Sequence, residues 1–118
     1  MGQFVVGDVV LVNFPYSDLK AAKLRPAIVV AIAEFDDLIL CQITSKPYSS
    51  QIAIKLTATD FTEGTLPVVS YIRPDKLFTF AANVIQRKAG HVSSKIIVSV
   101  QNTIKNLFSV EGENNETL

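Results

Sequence analysis

Three short polar stretches border otherwise apolar runs in this sequence, and they hold the groups best suited to chemistry. Arg25 stands directly before Pro26 and the apolar run AIVV. Thr44 and Ser45 close the run LILCQI, and Ser70 and Arg73 bracket Tyr71 and Ile72. An arginine stays protonated and offers a planar fork of donors, so it serves as an anion ligand or a proton donor, not as a free base. Each stretch also has an ordinary reading. Arg25 can be a solvated loop charge, Thr44 a strand-end turn former, and Arg73 the surface partner of Asp75. Pro26 sets Arg25 apart: proline at the start of a strand fixes the backbone there and aims the residue before it.

The remaining reactive side chains offer less. Cys41 is the only cysteine and His91 the only histidine, which excludes an intramolecular disulfide and a cysteine-based zinc cage. The two could at most form a nucleophile pair. Cys41 falls in mid-strand, where a free cysteine acts as a small hydrophobe. His91 is an acid–base candidate by type, yet it follows Gly90 and lies outside the three polar stretches.

The elements that must position these groups are mostly short strands. VVLVNF (9–14) is β-branched and aromatic-rich, and a polar loop, PYSDLKAAKLR (15–25), follows it. PAIVVAIAE reads as a buried strand begun by Pro26, and LILCQIT as another after an Asp36-Asp37 turn. QIAIKL alternates, with Ile52, Ile54 and Leu56 on one face. TATDFTEGT reads as a loop or a single helical turn. VVSYIR and KLFTF read as two strands separated by Pro74-Asp75, and ANVIQRKAGHV as a strand running into a turn at Gly90. SSKIIVSVQNTIKNLF has β-branched content, but Ile97, Val100, Ile104, Leu107 and Phe108 recur at helical spacing, and Ser93 or Ser94 can cap it. Its length favours a helix. Many short strands closed by one helix form a small barrel, which removes exposed sheet edges.

Composition sets the frame. At 118 residues, with 48% hydrophobic and 19% charged residues, the chain is one globular domain. No apolar run reaches the roughly 18 residues of a membrane span, and no basic segment leads into an apolar one at the N-terminus. A cytoplasmic protein is expected. Formal net charge is zero, from 11 basic and 11 acidic residues. Three of the acids, Glu111, Glu113 and Glu116, lie in the last ten residues, 109–118, which read as an acidic, disordered tail. The domain at 1–108 therefore carries 11 basic residues against 8 acidic ones.

Taken in order, GDVVLVN, a long polar loop ending RPAIVV, a strand ending ITS, and an apolar strand carrying SYIR resemble the MazF/PemK/Kid family of toxins from bacterial toxin–antitoxin pairs. The similarity runs from residue 5 to about 108. It implies a small SH3-like β-barrel with a C-terminal α-helix, a homodimer, and a cognate DNA-binding antitoxin. It also implies an endoribonuclease that cleaves single-stranded RNA at short sequences without a metal or other cofactor. In that chemistry a ribose 2'-oxygen attacks the adjacent phosphate, leaving a 2',3'-cyclic phosphate and a 5'-hydroxyl. The reaction needs a cation on the phosphate, a base for the 2'-hydroxyl and an acid for the leaving oxygen. The family's loop arginine and strand-end threonine fall on Arg25 and Thr44, which become the catalytic candidates. Lys20, Lys23, Ser45, Lys46, Ser70 and Arg73 become the RNA-binding candidates, with Tyr16, Tyr48 and Tyr71 as surfaces on which bases can stack.

Two departures from the family stand out. Members often carry an acidic residue five positions before the loop arginine, where this chain has Lys20; its nearest acid is Asp18. They also often carry D-Q-x-R where this chain has Ser70-Tyr71-Ile72-Arg73. Both residues that could act as a general base are replaced, and the loop becomes more basic. Two alternatives follow from the same fold: a poison of DNA gyrase like the CcdB toxins, which acts by binding, or a non-catalytic SH3-like module that binds RNA or peptide.

Overall fold

The computed structural model describes residues 3–14 and 23–110. Seven strands form one antiparallel sheet: β1 (Asp8–Phe14), β2 (Lys23–Ile32), β3 (Asp37–Thr44), β4 (Ile54–Leu56), β5 (Phe61–Gly64), β6 (Ser70–Ala81) and β7 (Arg87–Val92). Their order across the sheet is β4-β6-β3-β2-β1-β7-β5, and one helix, α1 (Ser94–Leu107), follows. The two edge strands are consecutive in the chain, joined only by the single 3-10 turn Ala58–Asp60. Laid flat, seven strands would set their outer members about 29 Å apart at ~4.8 Å per gap. The few residues between Leu56 and Phe61 reach at most about 18 Å even when extended. The sheet therefore curls into a half-barrel, as the strand pattern predicted.

Curling gives the sheet two packed faces. Val9, Ile28, Cys41, Ile43 and Ile72 form one core with Ile96 and Val100 of α1. Val10, Val12, Phe14, Ala27, Val29, Leu38 and Leu40 form the other with Phe78 and Phe80. On this aromatic face the Phe14 ring meets Phe78 and Phe80 edge-on, at centroid distances of 4.8 and 5.5 Å.

The helix forms as the spacing predicted, with Ser93 as its N-cap accepting from the Ile96 amide. Its buried stripe differs from the expected one. Ile96 and Val100 are buried with Ile104 packed beside them, whereas Leu107 and Phe108 are 43% and 72% exposed. Each fully buried aliphatic side chain contributes about 1.5–3 kcal/mol. A β-bulge fixes the helix to the sheet. Val29 pairs with Leu40 and Ala31 with Ile39, so Val30 is the extra residue. The Val30 carbonyl accepts a 3.1 Å hydrogen bond from the Gln101 amide of α1.

Several boundaries fall elsewhere than the sequence suggested. Strand β2 begins at Lys23, so Pro26 lies three residues inside it, opposite Leu11 of β1. Pairing with β3 starts only after the proline, at Ala27–Gln42. Proline has no N–H to give a ladder. The two strands expected on either side of Pro74-Asp75 are one strand, β6. There Cys41 pairs with Leu77 and Gln42 with Arg73, which leaves Pro74, Asp75 and Lys76 as a bulge, with Pro74 buried and Asp75 and Lys76 exposed. Strand β4 keeps only Ile54–Leu56 of the expected QIAIKL. TATDFTEGT divides into the 3-10 turn and β5.

Gly90 is not a turn residue. It pairs with Val9 on one side and Gly64 on the other, inside β7. A Cβ there would lie 2.5 Å from the Glu63 carbonyl oxygen and 2.9 Å from the Phe61 ring. Close approach of β5, not backbone freedom, requires glycine here.

Cys41 is fully buried. Desolvation first, and the Asp75 charge second, push its thiol up to about 12 from an ordinary 9.0. The folded thiol keeps its proton between these values while the unfolded one loses it. This contribution to stability is complete below pH 9 and is lost as pH rises towards 12, by up to about 1.4 kcal/mol per pH unit. Urea denaturation of wild type and Cys41→Ala across pH 7–11 should show the alkaline decline shallower in the variant. Iodoacetamide at pH 8 should label the wild type only once it is unfolded.

Candidate RNA-cleavage site

Site geometry follows from Pro26. Continuing the Ala27–Gln42 register by two residues sets Arg25 across from Thr44, with no ladder pairing between them. Opposed residues of antiparallel strands share a face, and side chains alternate along each strand. Arg25 and Thr44 therefore lie on the aromatic face, over Val12 and in line with Gln42 and its partner Arg73. Ser45 and Ser70 alternate to the helix face. Where β2 and β3 part, a cavity of about 510 Å³ opens and takes its walls from both sides of the strand ends. Lys23, Arg25, Thr44, Ser45 and Ser70 all line it. A second cavity of about 460 Å³ lies around Phe4, Phe35 and Leu38; among the described residues that line it, the one charged side chain is Asp36. Only the first suits a polyanion.

Each side chain in this region is held differently. Arg25 is half-buried, with its Nε out of solvent, which limits the directions its guanidinium can face. The Thr44 hydroxyl accepts the Lys46 amide at 3.1 Å and lies 3.4 Å from the Lys46 carbonyl, so the turn after β3 fixes its position. That second contact is long for a hydroxyl donor, which leaves the Thr44 proton available to a ligand oxygen. Ser70 is 4% exposed and donates to the Val68 carbonyl at 3.0 Å, so it shapes the wall. Among the described residues lining the cavity there is no carboxylate and no imidazole.

Arg73 and Lys46 do not line the cavity. Arg73 forks onto Asp75 with bonds of 3.3 and 3.2 Å, the ion pair anticipated as its ordinary reading. Partial burial works to raise the Asp75 carboxyl. The Arg73 hydrogen bond and charge, aided by Lys76, outweigh it and hold the group below the usual carboxylate value. Tyr48 is 85% exposed at positive φ, and Tyr71 lies beside Thr44 across β3 and β6. Lys20, Tyr16 and Asp18 lie outside the described residues.

The Cys41–His91 pair does not form. Cys41 is on β3 and His91 on β7, three strands away. His91 Nδ1 instead meets buried Asp8 at 2.8 Å. Asp8 also takes Lys88 at 3.4 Å and accepts the Val5 amide at 2.9 Å. This cluster joins β1 to β7 away from the cavity. One lining residue escaped the sequence reading: Arg87, at the start of β7. Its place inside QRKAG marks nothing, and only the β1–β7 register, which sets it opposite Leu11, brings it to the cavity.

A sequence model of the PemK-like, MazF-like toxins of type II toxin-antitoxin systems matches residues 6–108. A search among curated proteins finds no match. Among solved structures, MazF from Deinococcus radiodurans superimposes with a TM-score of 0.69 at 18% identity, over 89% of this chain and 96% of that one. The toxin MazF-mt6 of Mycobacterium tuberculosis gives 0.68 at 14% identity, covering 88% and 98%. A mycobacterial endoribonuclease in complex with its cognate antitoxin gives 0.63 at 15% identity, covering 91% and 93%.

The Ser70 geometry is open to direct measurement. Ser70→Ala deletes a buried donor and leaves the Val68 carbonyl without it, at a cost of about 1 kcal/mol. A lowered urea midpoint with an unchanged m-value is expected, whereas loss of ligand binding at full stability would place the hydroxyl in direct contact with ligand.

Proposed function

The chain belongs to the PemK-like, MazF-like toxin family of type II toxin-antitoxin systems, and from that premise we propose that it is an endoribonuclease cutting single-stranded RNA at Arg25 and Thr44. The observation that carries this reading is that these two residues line one cation-bearing cavity, facing each other by register where β2 and β3 part. The 2'-oxygen attacks phosphorus, the bond to the 5'-oxygen breaks, and the products are a 2',3'-cyclic phosphate and a 5'-hydroxyl. Arg25 clamps two phosphate oxygens as negative charge builds on them, and it supplies the proton the leaving oxygen needs. Thr44 donates to the phosphate or orients the attacking hydroxyl. The described residues lining the cavity include no carboxylate or imidazole, and in this reading the 2'-hydroxyl proton leaves to solvent.

Around this centre, Lys23 and Ser45 contact the RNA directly. Lys46 attracts it from outside the cavity, with Lys20 added from the loop, whereas the charge of Arg73 is met by Asp75. Ser70 contributes by shaping the wall. The proposed mechanism calls on no metal, and among the described residues no three of His, Cys, Asp and Glu are placed to hold a metal ion. A cognate antitoxin neutralises the protein. Two copies pair to extend the RNA groove, and sedimentation at tens of micromolar should show about twice the chain's 12.9 kDa.

The same cavity composition favours a second reading, in which the protein holds RNA without cutting it. One experiment separates the two. Wild type, Arg25→Ala, Thr44→Val and the double variant Lys20→Ala/Lys23→Ala are incubated with RNA in EDTA, in single turnover at saturating protein, and the ends are mapped. Cleavage leaving 5'-hydroxyl ends is expected for wild type. Removing the phosphate clamp should slow it about 100- to 1,000-fold, and Thr44→Val should also cripple it with the fold intact. The double lysine variant should lose affinity and salt dependence more than bound-state rate. Activity that needs magnesium would overturn the mechanism, and an inert wild type that still binds RNA would establish the second reading.

A further inference from the structure

We infer that Arg87 is the specificity-determining residue of this site, selecting a guanine next to the scissile phosphate; this rests on the RNA-cleaving function proposed above. Arg87 and Pro26 both stand opposite Leu11, one strand to either side, so Arg87 shares the helix-facing side of the sheet with Leu11. It lines the cavity from the wall across from β2. Arg25 and Thr44 occupy the aromatic-facing rim of the same opening. A phosphate held at that rim leaves its neighbouring nucleotide over the strand ends, facing the part of the cavity that Arg87 closes.

Three observations point to a base and not to a second phosphate. Leu11, Ile43, Leu66 and Pro67 give this part of the cavity apolar walls, which suit the flat faces of a base and not a hydrated anion. Its volume of about 510 Å³ lies within the range of small-ligand sites, so a nucleoside fits. Arg87 also remains uncommitted: among the described residues its side chain has no hydrogen-bond or ion-pair partner. Its neighbours differ. Arg73 is spent on Asp75, and Lys88 on Asp8 and Glu63.

The choice of guanine follows from donor chemistry. A guanidinium offers only donors. Adenine and cytosine each present an amino donor on the edge it would read, which opposes it. Uracil presents one acceptor there. Guanine presents two, O6 and N7, in the spacing that an arginine fork matches. One bidentate contact of this kind discriminates by about 5- to 150-fold.

The test uses the full-length protein and a random-sequence RNA pool in two forms, cleavable and 2'-fluoro. Ends are sequenced after cleavage of the first, and the bound fraction of the second is sequenced directly. Wild type should enrich guanine at one fixed position in both. Arg87→Gln should lose that enrichment about 5- to 150-fold while melting within a degree or two of wild type, because the side chain is exposed. Replacing that guanine by 7-deazaguanine should weaken wild-type binding and leave Arg87→Gln unaffected. The assignment falls if wild type shows no guanine preference or if Arg87→Gln retains it. It also falls if Arg87→Gln weakens all sequences alike and lowers the salt slope by about one, the mark of a phosphate contact. A wild type that binds the 2'-fluoro pool with guanine preference yet cuts nothing would refute the nuclease reading and uphold Arg87 as a base reader. Failure to bind RNA at all would refute both.

Discussion

Proline in an interior strand withholds one hydrogen-bond donor, and the site depends on that absence. Strand β2 runs from Lys23 to Ile32 between β1 and β3, yet it pairs with β3 only from Ala27 onward. Before Pro26 it keeps β1 alone. An uninterrupted ladder would hold the two strands about 4.8 Å apart to their ends and leave no room for a ligand between Arg25 and Thr44. The proline thus opens the sheet between β2 and β3 at the point where their ladder would otherwise continue. It also lets a polar pair occupy the end of a strand whose next residues are buried core.

The charge distribution is settled by which cations are neutralised. The chain sums to zero, but the opposite charges are not spread evenly. Asp75 holds Arg73, and Asp8 with Glu63 holds Lys88. The described residues that line the cavity at the parted strands include Lys23, Arg25 and Arg87 and no acid. A field that is weak at a distance becomes positive where a polyanion would dock, because low-dielectric walls focus it there.

Much of this was legible in the sequence. Alternation and β-branching located most of the strands, helical spacing located α1, and Ser93 marked its start. Arg25 and Thr44 were visible because each sits at the end of an unmistakable apolar run. What stayed hidden depended on pairing between distant segments. Gly90 looked like a turn because its reason for being glycine is the Glu63 carbonyl on another strand. Pro74 looked like a strand break because a bulge that keeps β6 continuous leaves no local mark. Ser70 does line the cavity, but its burial and its bond to Val68 left no mark in the sequence. Arg87 had no local signal at all, since only the register of β7 against β1 brings it to the site.

That register also governs the order in which the molecule can be completed during synthesis. Strand β1 is the partner of both β2 and β7, and Asp8 reaches His91 across 83 residues of chain. The first strand leaves the ribosome long before its second neighbour exists. From residue 14 to residue 92, elongation takes roughly 4–16 s at typical rates. Once residue 44 is made, the nascent chain has Arg25 and Thr44 but still lacks the wall that carries Arg87. A half-made copy therefore cannot enclose a ligand while it is still tethered to its own message, and the cavity is complete only when translation of the domain is nearly over.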